Sequence, residues 1–288
     1  MRKKLKKNKS ELLFLAPGTV IYVLFLVVPI LVCFYYAFTN WDGISPVYKF
    51  IGLRNFKNIL SDSRFWDAVK VTLIVTVVST FLQNAIGILF AVWLNQKNWV
   101  CEFCKTILFL PAILSSVVVS FIWSYMTQGN GGILNTILGI FHIPPMDYFA
   151  NDLVTTLTVT TVISWAGLGL YITIYDATLT TIPDELFEAA KIDGAGKVAL
   201  FRYITFPMLM PGIIICTIFS LIAGLRQYDF VKIMTPMTIE TVSVNAISRM
   251  TEYNMFGYAS AIVIVLFVSI IVLSTAQRML LRSKEVSY

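Results

Sequence analysis

Apolar residues in this chain gather into six long runs separated by shorter polar segments. The runs cover Leu12 to Phe38, about Val69 to Leu94, about Ile107 to Met126, and Leu153 to Leu179. A fifth begins near Pro211 and ends at about Gln227 or continues to Ile233, and a sixth covers Phe256 to about Ala276. At 1.5 Å per residue, about 20 apolar helical residues cross a hydrocarbon core of about 30 Å. The pattern therefore predicts an all-α integral membrane protein with about six transmembrane helices. Between the fourth and fifth runs lies one well-charged, well-punctuated stretch, Thr180 to Pro211. The first run follows a basic start, as a secretory signal does. It is too long for one, at about 27 residues, and no small-x-small cleavage site follows it.

Composition agrees with the pattern. The chain is 57% apolar and 13% charged, with a mean hydropathy of +0.77, whereas soluble domains carry about 25% charged residues. The net charge of +6 does not call for nucleic acid, because six of the 22 basic residues sit in the first nine positions, beside an apolar run. With the N-terminus inside, inner segments hold about 14 Lys or Arg and outer segments about eight, which favours both termini in the cytoplasm. The expected organisation is a basic cytoplasmic N-terminus (1–11), a single transmembrane domain (12–280) and a cytoplasmic tail (281–288). No internal repeat or low-complexity segment interrupts it.

The stretch TTIPDELFEAAKIDGAGKVALFRYITFPMLMP reads as two short helices joined at a glycine. Thr180 or Thr181 is placed to cap the first helix, with Pro183 in its first turn. Asp184 and Glu185 put negative charge near the positive end of the helix dipole. Gly194 can take the positive φ that ends a helix. A second helix, about Lys197 to Thr205, is expected to stop near Pro207. Leu186, Ala189, Ala190 and Asp193 recur at three- and four-residue spacing, so they share one face, made shallow by the two alanines.

This stretch resembles the EAA loop of inner-membrane permease subunits of bacterial ABC importers, and its fuller form resembles the carbohydrate-importing branch. FIGLRNFKNILSDSRFW, TILFLPAILSSVVVSFIW and FGYASA are similar to the F-type partner of that branch. The resemblance implies that the loop is a cytoplasmic coupling helix docking on a separate ATPase. Glu188 would meet a cationic group there, Ala189 and Ala190 would allow close approach, and Gly194 would form the turn beside Asp193. It also implies two ATPase subunits carrying ATP and Mg, a second homologous permease subunit, an extracytoplasmic solute-binding protein, and a bacterial plasma membrane location. No cofactor is expected on this chain. One departure stands out: where the family usually has a Gly-Gly-Pro run after the Tyr228-Asp229 position, this chain reads MTPMTIETVSV.

Remaining polar groups each have a bland and a sharp reading. Gln83 and Asn84 lie mid-span, where polar side chains bond between helices or line a solute path. Trp165 and Tyr171 either stack on a sugar face or pack in the core or against lipid. Arg226, Tyr228 and Asp229 lie near the end of the fifth run, and the spacing of Arg226 and Asp229 suits an ion pair. Asp176 either reaches water or pairs with a base such as Lys191. Pro111 is expected to bend the third helix rather than end it. Asp62 and Asp67 read as solvated acids rather than a catalytic pair. Cys101-x-x-Cys104 has no second pair or histidine to make a metal or redox site, and His142, the only histidine, falls in a loop.

No phosphate loop occurs, since Gly194, Gly196 and Lys197 lack the spacing, and no Ser-His-Asp set is available. The chain is therefore expected to hydrolyse nothing itself. The rival reading is a secondary transporter or channel that uses no ATP, which predicts paired charges inside the membrane. Mid-span charge is nearly absent.

Overall fold

The protein is described by a computed structural model over residues 13–96, 98–129, 131–235 and 238–282. The basic N-terminus, Lys97, Pro236 and Met237 of the departing MTPMTIETVSV segment, and the tail from 283 lie outside the described residues.

Helix α1 spans Leu13–Tyr36, with a π-helical turn at Val23–Val27. It is followed by α2 (Arg54–Ser61), α3 (Ser63–Leu94), α4 (Trp99–Ile113), α5 (Ser116–Met126), α6 (Ile133–Ile140) and α7 (Asp152–Leu179). Next come α8 (Asp184–Ile192), α9 (Lys197–Met208), α10 (Met210–Leu225), α11 (Asp229–Met234), α12 (Val242–Thr251) and α13 (Phe256–Arg282). Four helices, α1, α3, α7 and α13, are each long and apolar enough to cross a membrane. The other two expected spans are bent pairs: α4 with α5, at 98°, and α9 with α10, at 64°.

Those bends correct the sequence reading. The third span does not run on through a proline bend. Its helix passes Pro111 and stops at Leu114 and Ser115, whose ψ values of 146° and 136° are extended. Pro111 has no N–H to offer the preceding turn, so the ladder is already one bond short where the chain turns out. The same helix starts earlier than expected, at Trp99, because the Asn98 side chain accepts the Cys101 N–H at 2.8 Å and caps it. Helix α3 likewise begins at Ser63 rather than Val69, and the fifth span ends at Leu225 without continuing to Ile233.

The chain divides into two compact units. One runs to Asp62 and takes up Ala246–Phe267; the other comprises Ser63–Asn245 and the segment from Val268. In the first, Asn55 Nδ2 donates to the carbonyls of Ala37 and Thr39, both at 2.8 Å, tying α2 to the end of α1. Asp62 is not a solvated acid: it accepts from Arg249 at 2.7 Å and from the Tyr258 hydroxyl at 2.8 Å. Asp67 lies on α3, paired with Lys70 at 2.9 Å.

In the second unit α7 is central, with α3, α4 and α10 packed on it. Val159, Val162 and Ile163 of α7 meet Val75 of α3 and Val231 of α11 in one apolar cluster. Tyr171, Ile172 and Tyr175 meet Ala91 and Cys216 in another. Asn84 joins three helices: it accepts the Tyr175 hydroxyl at 2.5 Å and donates to Ser220 Oγ of α10 at 3.3 Å. Gln83 Nε2 donates to the Ile163 carbonyl at 3.3 Å. In hydrocarbon such groups have no water to fall back on, so bonding between helices satisfies them.

Close approach of α3 and α10 depends on Gly224. A Cβ there would lie 2.7 Å from Thr76 Cα, a contact with backbone that cannot swing away. Gly224→Ala is expected to destabilise the protein by about 1–3 kcal/mol through forced separation of the two helices. Thermal unfolding in detergent measures this, and an unchanged midpoint would mean that the two helices do not touch at Gly224.

Candidate coupling site and solute path

The loop between α7 and α10 has the expected two-helix form. Asp184 and Glu185 occupy the first turn of α8 and Lys191 its last, each complementing the helix dipole. Gly194 has φ +80°, a left-handed conformation in which L side chains are strained. The Ala195 N–H reaches back past it to the Ala190 carbonyl at 2.9 Å, closing the helix in a Schellman-like turn.

The expected threonine cap is not formed. Pro183 occupies the cap position, because both threonine hydroxyls are used on the preceding helix. Thr180 Oγ1 donates to the Ala177 carbonyl at 2.7 Å, and Thr181 Oγ1 to that of Thr178 at 2.8 Å. They finish α7 instead of starting α8. The second helix also passes Pro207, through a π turn at Phe201–Thr205, and bends only at Leu209.

Glu188, Ala189, Asp193 and Gly194 are exposed and Ala190 is half-buried. Glu188 forms no ion pair among the described residues. Ile192 is 86% exposed and Val198 80%, so the joint between the two helices offers apolar surface that the described residues do not cover. The roots of the loop are held firmly. A Cβ at Gly212, in the first turn of α10, would lie 2.6 Å from Thr178 Oγ1 of α7.

Above the loop lies an ion pair that the sequence reading misplaced. Asp176 pairs with a base, but with Lys105 rather than Lys191. Its Oδ2 takes Lys105 Nζ of α4 at 2.9 Å, with the side chains 23% and 19% exposed. Asp176 Oδ1 is buried without a hydrogen-bond partner among the described residues. Lys105 precedes the third apolar run, so the run pattern alone does not bring it to the depth of Asp176. An acid in an apolar helix needs a base at the same depth, and the helical start at Trp99 supplies one.

The candidate path residues do not form one surface. Gln83 and Asn84 spend their amides between helices, and Tyr171 is buried in the core. Trp165 is 42% exposed, with the Trp123 ring edge-on at 5.4 Å. Arg226 is exposed and does not pair with Asp229. The helix stops between them, so the i, i+3 geometry is lost, and Asp229 at the head of α11 accepts the Ser116 hydroxyl instead. Tyr228, half-buried, packs on the core. The four cysteines are free, and no metal-binding cluster occurs among the described residues. His142 is exposed in its loop.

The chain is a helical membrane bundle with an exposed, charged two-helix loop between two of its core spans. Comparison with known proteins agrees. The family described as binding-protein-dependent transport system inner membrane component matches residues 83–286, and the chain belongs to it. The multiple sugar-binding transport system permease protein MsmF of Streptococcus mutans is 31% identical over 278 residues, covering 95% of each chain. The probable starch degradation products transport system permease protein AmyD of Thermoanaerobacterium thermosulfurigenes is 28% identical over 298 residues, covering 99% of each. One chain in the crystal structure of a bacterial alginate ABC transporter, in complex with an alginate pentasaccharide-bound periplasmic protein, has the same fold. Its TM-score is 0.85 over 96% of this chain and 95% of that one, at 19% identity. The chain is thus a non-catalytic permease subunit, with ATP hydrolysis assigned to a separate ATPase.

The Lys105–Asp176 pair generates a prediction. Removing one partner strands the other charge, whereas removing both removes the problem. Lys105→Met or Asp176→Leu alone is expected to cost about 1–2 kcal/mol, below the buried-pair range because both groups touch solvent. The double variant is expected to recover most of the loss, and a thermal-melt double-mutant cycle reads this directly. Additive losses would show that the two side chains do not interact.

Proposed function

We propose that this chain conducts a sugar or oligosaccharide across a bacterial plasma membrane, with both termini in the cytoplasm. It does so within a complex of two ATPase subunits, a second homologous permease and an extracytoplasmic solute-binding protein. ATP and Mg belong to the ATPase. Residues 12–280 act as one permease domain, and 180–207 as its coupling loop. Support for the cargo comes from the relatives, whose names record multiple sugars and starch degradation products. Support for the orientation comes from the excess of basic residues on the loop side.

One observation carries the mechanism. The α8–Gly194–α9 turn is exposed at its tip and rooted between α7 and α10, which touch at Thr178 and Gly212. In this reading the ATPase grips the tip, with Glu188 offering a charge and Ala189 and Ala190 allowing close approach. Asp193 and Gly194 hold the turn. Closure of the ATPase dimer displaces the loop, and the shared root turns α7 and α10 together, opening one side of the bundle as the other shuts. Trp165, Arg226, Tyr228 and Asp229 then serve the solute path on the opposite side, with the Gln83, Asn84 and Tyr171 layer between it and the loop.

The turn itself supplies the test. Gly194→Val introduces a β-branched residue at φ +80°, which that residue type does not tolerate. Gly194→Asn introduces one that visits this conformation readily. Sugar uptake is expected to fall at least about tenfold with valine and to remain mostly intact with asparagine, on the order of the 1–3 kcal/mol that such strain costs. Both variants should insert normally. Equal uptake by the valine variant at equal membrane abundance would remove the turn from the mechanism, and uptake without any ATPase would replace the importer with a secondary transporter.

A further inference from the structure

Between Gly43 and Ser61 the chain carries Lys49, Arg54 and Lys57 and no acidic residue. None of the three cations forms an ion pair among the described residues, and all are exposed. The acids on either side are engaged within the unit. Asp42 is bound by its own turn, through the Ser45 hydroxyl at 2.5 Å and the N–H groups of Ile44 and Ser45 at 2.9 and 2.8 Å. Asp62 is bound to Arg249 and Tyr258. Interleaved with the free cations are exposed apolar side chains: Ile44, Val47, Phe50 and Leu53 are 76%, 80%, 68% and 59% exposed.

The position of this segment decides what it meets. Helix α1 ends at Tyr36, and the following chain folds straight back on that end. Asn40 N–H donates to the Lys49 carbonyl at 3.1 Å, Lys49 N–H to Asn40 Oδ1 at 2.7 Å, and Ile51 N–H to the Phe38 carbonyl at 2.8 Å. Asn55 adds its two bonds to the carbonyls of Ala37 and Thr39. Lys49, Phe50, Leu53 and Arg54 are therefore held within a few residues of the point where the first span leaves hydrocarbon. Tyr36 and Trp41, stacked at 4.1 Å, mark the same level with rings of the kind that settle at membrane interfaces. Basic residues interleaved with apolar ones at that depth are the chemistry of an anionic-lipid interface.

We propose that residues 44–57 form a seat for anionic phospholipid, with Lys49, Arg54 and Lys57 on the headgroups and Ile44, Val47, Phe50 and Leu53 set among the upper acyl carbons. The inference rests on α1 crossing the membrane and not on the cargo. A failed sugar assay leaves it standing, and its own failure leaves the importer reading intact. The seat also gives a reason for a cluster of cations in a segment assigned to the outside, against the usual charge bias.

The experiment compares the intact transporter complex with one carrying Lys49→Gln, Arg54→Gln and Lys57→Gln together. Both are placed in nanodiscs of equal phosphatidylglycerol and phosphatidylcholine, and the co-purifying lipid is counted by native mass spectrometry. The basic N-terminus is the same in both proteins, so only their difference is read. The ratio of phosphatidylglycerol to phosphatidylcholine is expected to fall about fivefold or more in the variant, the order set by a single interfacial cation. High salt should bring the wild type down toward the variant. A second variant, Phe50→Ser with Leu53→Ser, should lose both lipids and leave their ratio in place. Equal ratios in the wild type and the triple variant would overturn the proposal. If the ratios are equal but the variant has lost stimulation of ATP hydrolysis by the solute-binding protein, the cations are a protein-docking face instead.

Discussion

Asn84 does in this protein what water does in a soluble one. It takes a hydroxyl from Tyr175 and gives N–H bonds to Thr80 and Ser220, so α3, α7 and α10 share one polar centre. Inside a bilayer an unmatched amide has nowhere else to turn. Such a centre therefore sets which helices are neighbours and at what register. Around it the small residues let the backbones close in, most tightly where Gly224 lies against Thr76. The three helices so joined form one closely packed centre.

That arrangement explains where the helices break. The bends fall at Leu114–Ser115, at Leu209 and at Arg226–Tyr228. Each lies at the edge of the packed centre or beyond it. The α8–α9 loop is the largest of these departures, and it carries its own dipole-matched charges and its own left-handed glycine. Only its roots, at Thr178 and Gly212, are packed tightly. The Lys105–Asp176 pair ties α4 to the same end of α7.

Much of this was legible in the chain itself. Six apolar runs, one charged interruption, Gly194 as a turn and the face of Leu186, Ala189, Ala190 and Asp193 all follow from local rules of length, period and backbone freedom. These are properties of a few neighbouring residues; the structure keeps four of the runs as unbroken helices and sets the other two in bent pairs.

Other features needed the fold, because they join residues that lie far apart in the chain. Thr180 and Thr181 are good caps by residue type, yet they bond backward to α7, since a hydroxyl takes the nearest free carbonyl. Asp176 found Lys105 rather than Lys191 because helix α4 begins six residues before Lys105 and brings it to the right depth. Arg226 and Asp229 stand three apart in sequence but on opposite sides of a helix stop, and Ser116 claims the carboxylate. The sequence by itself determined that the chain is a helical membrane protein with a charged two-helix loop between its fourth and fifth apolar runs, because burial in hydrocarbon and helix geometry act locally. Which polar groups meet across helices, and where the spans break, was decided only by tertiary packing, because those choices depend on what each neighbouring helix leaves unsatisfied.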